Sequence, residues 1–284
     1  MLKLILFAFF LISLTACTIA LSPEEILVAD EEFRRTGFQS LEIQNTELLL
    51  EGATVQHEWL ASESGQIALT WAAQSESAQA KRLVVFCMGN TTDRQSDGVD
   101  YLNGVLPFGD AVIFDYPGYG DSAGSISLDA FDVALAAVAE RVKREPYEEV
   151  LVWGHSMGGI LCPRLAKTLG DRTDGIVLEA TFAGPDSIAR YAIPWYLKPF
   201  IRLRIDERFL SYNTIETLGN FEGPILVLAA NKDKELPIVG PRDLYDRLKA
   251  AGLDVSKLEF KDAGHYDIAE QSDYITRVGA VLAK

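Results

Sequence analysis

The chain has 284 residues, three cysteines and a formal net charge of −15. That length suits one α/β domain with a substantial core, and the acidic balance argues against nucleic acid as a partner. Three cysteines are too few for a disulfide framework; no Cys/His cluster has metal-ligand spacing and no glycine loop suits a phosphate, so no cofactor is expected.

In chain order, Met1-Leu2-Lys3 precedes an apolar run from Leu4 to Leu14. One basic residue and a short apolar stretch describe an export signal over 1–16, too short for a span of about twenty residues. Its ending, Leu14-Thr15-Ala16-Cys17, resembles a bacterial lipobox. The resemblance implies a lipidated Cys17 as first mature residue and a membrane anchor. Thr18 stands where an inner-membrane retention signal carries Asp, so the periplasmic side of an outer membrane is expected where the host has two membranes. An uncleaved anchor and plain secretion are the other readings. Residues 17–40, with Pro23 and the acidic Asp30-Glu31-Glu32, suggest a tether with a short helix.

Residues 41–284 then alternate strands and helices, which predicts a mostly parallel sheet covered on both faces. Strands are expected near Leu41–Leu50, Gln56–Ala61 and Ile67–Ala73, and include an antiparallel edge. Core strands follow at Leu83–Met88, Ala111–Tyr116, Val150–Trp153, Gly175–Ala180, Ile225–Ala230 and Lys257–Phe260. Ser127–Arg144 predicts a helix, because Leu128, Phe131, Leu135, Val138 and Val142 recur at steps of three and four. Ser127 is placed to cap it. An insertion at about 184–220 mixes Trp195, Tyr196 and Phe200 with Lys198, Arg202, Arg204 and Arg208. Such a mixture could meet lipid headgroups, but Pro194 and Pro199 interrupt any continuous amphipathic helix. We read its apolar side as packed on the core and its basic side as solvated.

The chemistry centres on Gly154-His155-Ser156-Met157-Gly158, between one apolar run and the next. A Gly-x-Ser-x-Gly strand-to-helix turn is tight enough to strain the Ser backbone, and the flanking glycines relieve the crowding. A serine nucleophile needs a base, and the base an orienting acid. There are three histidines. His155 lies inside the turn with its ring directed away from Ser156, and His57 lies in an early strand with a structural role. Elimination leaves His265, in a loop before the last helix. Asp233 follows the strand Ile225–Ala230 at its carboxyl end, where ligand and catalytic groups of parallel sheets collect. Glu235 is the fallback acid. Cys87 and Cys162 each lie in an apolar segment, and a bridge between them is an open question. Pro163, inside the helix after the turn, predicts a bend or local loosening there.

The order Ser156, Asp233, His265 and the Gly-x-Ser-x-Gly turn are similar to the α/β-hydrolase superfamily, from about Leu48 onward. Asp115-Tyr116-Pro117-Gly118-Tyr119-Gly120-Asp121-Ser122 and Gly89-Asn90 resemble its bacterial serine-hydrolase branch that includes BEM46-like proteins. The resemblance implies an α/β-hydrolase fold with an eight-stranded sheet and a small cap formed by the insertion. It implies a structural role for Asp115 and oxyanion donors in the backbone N–H groups of Asn90 and Met157. Met88 stands where that branch carries His. The expectation is a serine hydrolase acting on a small-molecule or lipid acyl bond, an ester or thioester. A serine-aminopeptidase activity is the first alternative, for which an acidic pocket would be the mark; a catalytically idle binding fold is the second.

Overall fold

The computed structural model describes residues 17–23, 43–44, 47–75, 81–192, 196–197 and 200–283. The expected signal over 1–16, most of the tether, and Pro194, Trp195, Lys198 and Pro199 of the insertion lie outside the described residues.

Ten strands and eight α-helices are described. They are β1 (Cys17–Leu21), β2 (Thr54–Ser62), β3 (Gly65–Ala73), β4 (Arg82–Cys87), α1 (Gly98–Val105), β5 (Asp110–Phe114), α2 (Leu128–Val142), β6 (Glu149–His155) and α3 (Gly158–Leu169). There follow β7 (Gly175–Glu179), α4 (Pro185–Ala192), β8 (Ile201–Ile205), the single turns α5 (Glu207–Leu210) and α6 (Thr214–Thr217), β9 (Ile225–Ala230), α7 (Val239–Ala250), β10 (Val255–Phe260) and α8 (Tyr274–Leu282).

Eight strands form one sheet in the order β10-β9-β7-β6-β4-β5-β3-β2. The pairs β2–β3 and β3–β5 are antiparallel and the others parallel. The expected eight-stranded, mostly parallel sheet is therefore present, with its antiparallel edge at the amino-terminal strands. The strands β5, β7 and β9 are buried throughout, as strands covered on both faces must be. One apolar layer joins α2 and α3 to one face of the sheet, and the other joins α1 and α8 to the opposite face. Ser127 caps α2, its Oγ accepting the Ala130 N–H at 3.2 Å. The helix α3 continues through Pro163, which is buried in the first layer's helix face.

Two expectations need correction. The segment 43–50 contains no strand among its described residues. Ile43 and Leu48 are buried, but the Gln44 N–H goes to Glu47 Oε2 and the Leu49 N–H to Asn103 Oδ1, so side chains take the place of a ladder. The start of the expected tether is ordered structure: β1 pairs in parallel with β8 of the insertion, from Cys17 beside Ile201 to Leu21 beside Ile205. These two strands form a small sheet separate from the large one.

Cys87 at the end of β4 is disulfide-bonded to Cys162 in α3, with their Cα atoms 5.9 Å apart. The bridge fastens the strand before Gly89-Asn90 to the helix after Ser156.

Candidate active site

Ser156 occupies the turn between β6 and α3 with φ of 53°, a left-handed conformation that a residue with a side chain rarely takes. Its backbone is held on both sides. The N–H donates to the Glu179 carbonyl at 2.9 Å, and its own carbonyl accepts from Gly159 N–H at 3.0 Å and Thr181 Oγ1 at 2.7 Å. The flanking glycines are required by contact. A Cβ on Gly154 would lie 2.5 Å from the Gly158 carbonyl oxygen, and one on Gly158 2.0 Å from that of Cys87. Side chains at either place would push α3 off the sheet and lose the turn.

Asp233 and His265 come together from loops after β9 and β10. Asp233 Oδ2 accepts from His265 Nδ1 at 2.7 Å, and both side chains are almost fully enclosed. Asp233 Oδ1 accepts the backbone N–H groups of Glu235 at 2.9 Å and Leu236 at 2.7 Å. The carboxylate is thus fixed by three donors, and its bond to Nδ1 leaves Nε2 as the ring's basic atom. Glu235, the fallback acid, approaches the other nitrogen: its Oε2 lies 3.9 Å from His265 Nε2 and accepts the Tyr266 hydroxyl at 3.1 Å. No hydrogen bond joins Ser156 Oγ to His265 among the described residues.

Met157 precedes α3, at the end of the helix where N–H groups lack intrahelical partners. Asn90 is oriented by the Tyr119 hydroxyl, which donates to its Oδ1 at 2.7 Å, and the next residue, Thr91, has φ of 59°. The Met88 side chain is wholly buried in the layer with Phe86 and Trp153, so it sits in the core and not among the polar groups. Asp115 is buried beneath this turn. It accepts the Arg94 N–H at 2.8 Å and pairs with Arg94 Nε at 3.1 Å, while burial pushes its carboxyl up to about 6. Gly120, at φ of 43°, makes room for that carboxyl, 2.4 Å from where a Cβ would stand.

His155 has a place that the sequence does not reveal. Its Nε2 donates to the His265 carbonyl at 2.9 Å and its Nδ1 accepts the Tyr101 hydroxyl at 3.2 Å. Burial pushes its ring down to about 4, so it stays neutral and braces the His265 loop. His57 is structural: its nitrogens meet Thr70 Oγ1 at 2.9 Å and the Ile43 carbonyl at 3.2 Å. Behind the brace is Glu179, buried and bonded by Trp153 Nε1 at 2.7 Å; burial pushes its carboxyl up to about 7, against the lowering effects of that bond and of His265. Glu179 lines a cleft of about 380 Å³ with Asp97, Asp100, Asp267 and Glu270. Among the described residues no group of His, Cys, Asp and Glu is arranged to hold a metal ion.

A parallel sheet with a strained Ser turn at its carboxyl edge, followed by loops bearing Asp and His, defines an α/β-hydrolase fold. The alpha/beta hydrolase family profile matches residues 84–223 of the chain. It is 28% identical over 173 residues to the uncharacterized membrane protein YNL320W of Saccharomyces cerevisiae, covering 59% of this chain and 58% of that one. It is 29% identical over 196 residues to the lysophosphatidylserine lipase ABHD12 of Danio rerio, covering 63% of this chain and 50% of that one. The chain therefore spans only part of the length of these relatives. The Pyrococcus furiosus esterase Pf2001 shares the fold with a TM-score of 0.64 at 17% identity, over 85% of this chain and 95% of that one.

Proposed function

We propose that the chain is a serine hydrolase that cleaves a carboxylic ester or thioester, with a lipid acyl group as the favoured substrate class. The observation that carries this reading is the enclosed Asp233–His265 pair at 2.7 Å, in a fold whose strained turn presents Ser156. Ser156 Oγ attacks the acyl carbonyl and its proton passes to His265 Nε2. Asp233 stabilises the imidazolium and holds the ring in place. The N–H groups of Asn90 and Met157 receive the oxyanion. When the tetrahedral intermediate collapses, His265 returns the proton to the departing alcohol or thiol. Water, deprotonated by His265, then releases the acid from Ser156.

The lipid preference draws support from the lipase relative and from the lipobox-like Leu14-Thr15-Ala16-Cys17, which would hold the domain at a membrane. Export and anchoring through Cys17 are part of the same reading, as is membership of the branch that includes BEM46-like proteins. A second reading, cleavage of a peptide with a free amino terminus, draws on the acidic cleft at Asp97, Asp100, Glu179, Asp267 and Glu270. None of Ser156, His265 and Asn90 lines that cleft, which keeps the ester reading first.

Covalent labelling by a fluorophosphonate tests the core of the proposal. The wild type should label and Ser156→Ala should not. A folded wild type that stays unlabelled would return the chain to the idle-fold alternative. Comparison of kcat/KM on matched acyl esters and aminoacyl amides then separates the two substrate readings.

A further inference from the structure

The small sheet formed by β1 and β8 bears directly on how the anchored protein would stand at a membrane. Pairing begins at Cys17 itself, whose Cα partner is Ile201. Paired strands lie about 4.8 Å apart. The backbone of Cys17 therefore stands about one strand spacing from the insertion, which leaves no slack linker between an anchor at that residue and the domain. The insertion beside β1 has a distinct chemistry. Tyr196, Leu197 and Phe200, just before β8, are exposed at 58%, 37% and 42%. On β8 the residues alternate: Ile201 and Ile205 are half-buried, and Ile205 packs on the core, while Arg202 and Arg204 are exposed on the other side. Their register partners Thr18 and Ala20 on β1 are exposed too. Neither Arg202 nor Arg204 forms an ion pair with a described residue. In a chain of net charge −15, two exposed arginines without a carboxylate partner among the described residues, beside exposed aromatic and aliphatic groups, are an unusual pairing of features.

We propose that this edge of the insertion is a docking surface for an anionic phospholipid bilayer. Tyr196, Leu197 and Phe200 enter the interfacial layer, and Arg202 and Arg204 meet lipid phosphates. The inference rests on the reading of Cys17 as the anchored residue. The anchor supplies residence at the membrane, and the arginines supply orientation. Aromatic rings and cations at the headgroup level are the combination that lipid interfaces favour. Each surface arginine strengthens binding to an anionic leaflet by roughly fivefold, so the pair is worth roughly twenty-five-fold.

The test uses the full chain reconstituted into vesicles of phosphatidylcholine alone and of phosphatidylcholine with phosphatidylglycerol. Backbone hydrogen exchange is followed at residues 196–197 and 200–205. Exchange there should slow at least tenfold on the anionic vesicles, and the slowing should be lost in Arg202→Glu/Arg204→Glu and weakened in the milder Arg202→Gln/Arg204→Gln. Both variants should float with the vesicles and hydrolyse a water-soluble ester as the wild type does, which separates loss of docking from loss of fold. A wild type that floats with both kinds of vesicle, yet exchanges equally fast on each, overturns docking and leaves the anchor standing. A Cys17→Ser chain that still floats, with protection at 196–197 and 200–205 unchanged, overturns the role of Cys17 in placing this surface. A wild type that floats with neither kind of vesicle removes the anchor and the docking surface together.

Discussion

His265 has two carboxylates within reach, and their positions give them different work. Asp233 is fixed by two backbone N–H groups and accepts from Nδ1, the bond that selects the tautomer. Glu235 is half in solvent and faces Nε2, the side from which a proton would arrive. Asp233→Asn should therefore lower kcat on an acyl ester on the order of ten-thousandfold while leaving the fold intact, because an amide can hold the wrong tautomer. Steady-state kinetics and circular dichroism check this. Turnover close to wild type would pass the acid's role to Glu235. The pairing of Asp233 with His265 was legible because elimination among three histidines left one loop residue, and a strand end marked the carboxylate. The brace from His155 was not, since its partner is a backbone carbonyl of a loop 110 residues away. Nor was the approach of Glu235 to Nε2, which depends on how one exposed side chain lies across the ring.

At the level of elements, the turn around Ser156 is made by three segments in close contact: β6, α3 and the end of β4. Gly158 lets α3 lie against the Cys87 carbonyl, and the Cys87–Cys162 bridge closes the same contact covalently. The bridge spans 75 residues of sequence, and the chain-entropy model assigns a loop of that length about 4 kcal/mol. Cys87→Ala/Cys162→Ala should lower the unfolding free energy obtained from urea titration by an amount of that order, measured against an oxidised wild type. A value unchanged within error would mean that packing alone holds β4 to α3. The strands β4 to β10 of the large sheet were legible as short apolar runs with turn residues between them, and α2 from its period and its Ser127 cap. Residues 43–50 were misread for a physical reason: Ile43 and Leu48 are as buried as strand residues, and apolar content does not tell a ladder from a chain whose N–H groups go to side chains. The strand β1 was illegible because its partner lies in an insertion far along the chain, and parallel pairing leaves no hairpin signal.

For the molecule as a whole, Glu179 ties folding to pH. Its carboxyl is raised to about 7 in the fold by burial, against 4.5 when exposed. The folded state therefore binds this proton more tightly than the unfolded chain does. The stabilisation is complete below about pH 4.5, is lost as pH rises toward 7, and the loss is finished above that value. Over that window the cost is on the order of 3 kcal/mol. Glu179→Gln keeps an acceptor for Trp153 Nε1 and should flatten the stability curve between pH 5 and 8, as read by urea unfolding at each pH. A variant curve parallel to the wild type would assign the slope to another group. The small sheet of β1 and β8 has a consequence in time. Its first strand precedes β2 to β7 in the chain, and its partner is made only after they have been completed. Contacts of such long sequence separation close late. Until β8 is in place, residues 17–21 lack the strand they pair with in the fold and stay open to other partners. Pairing with β8 then ends that interval, and the order of the chain itself sets when the insertion and residues 17–21 become one surface.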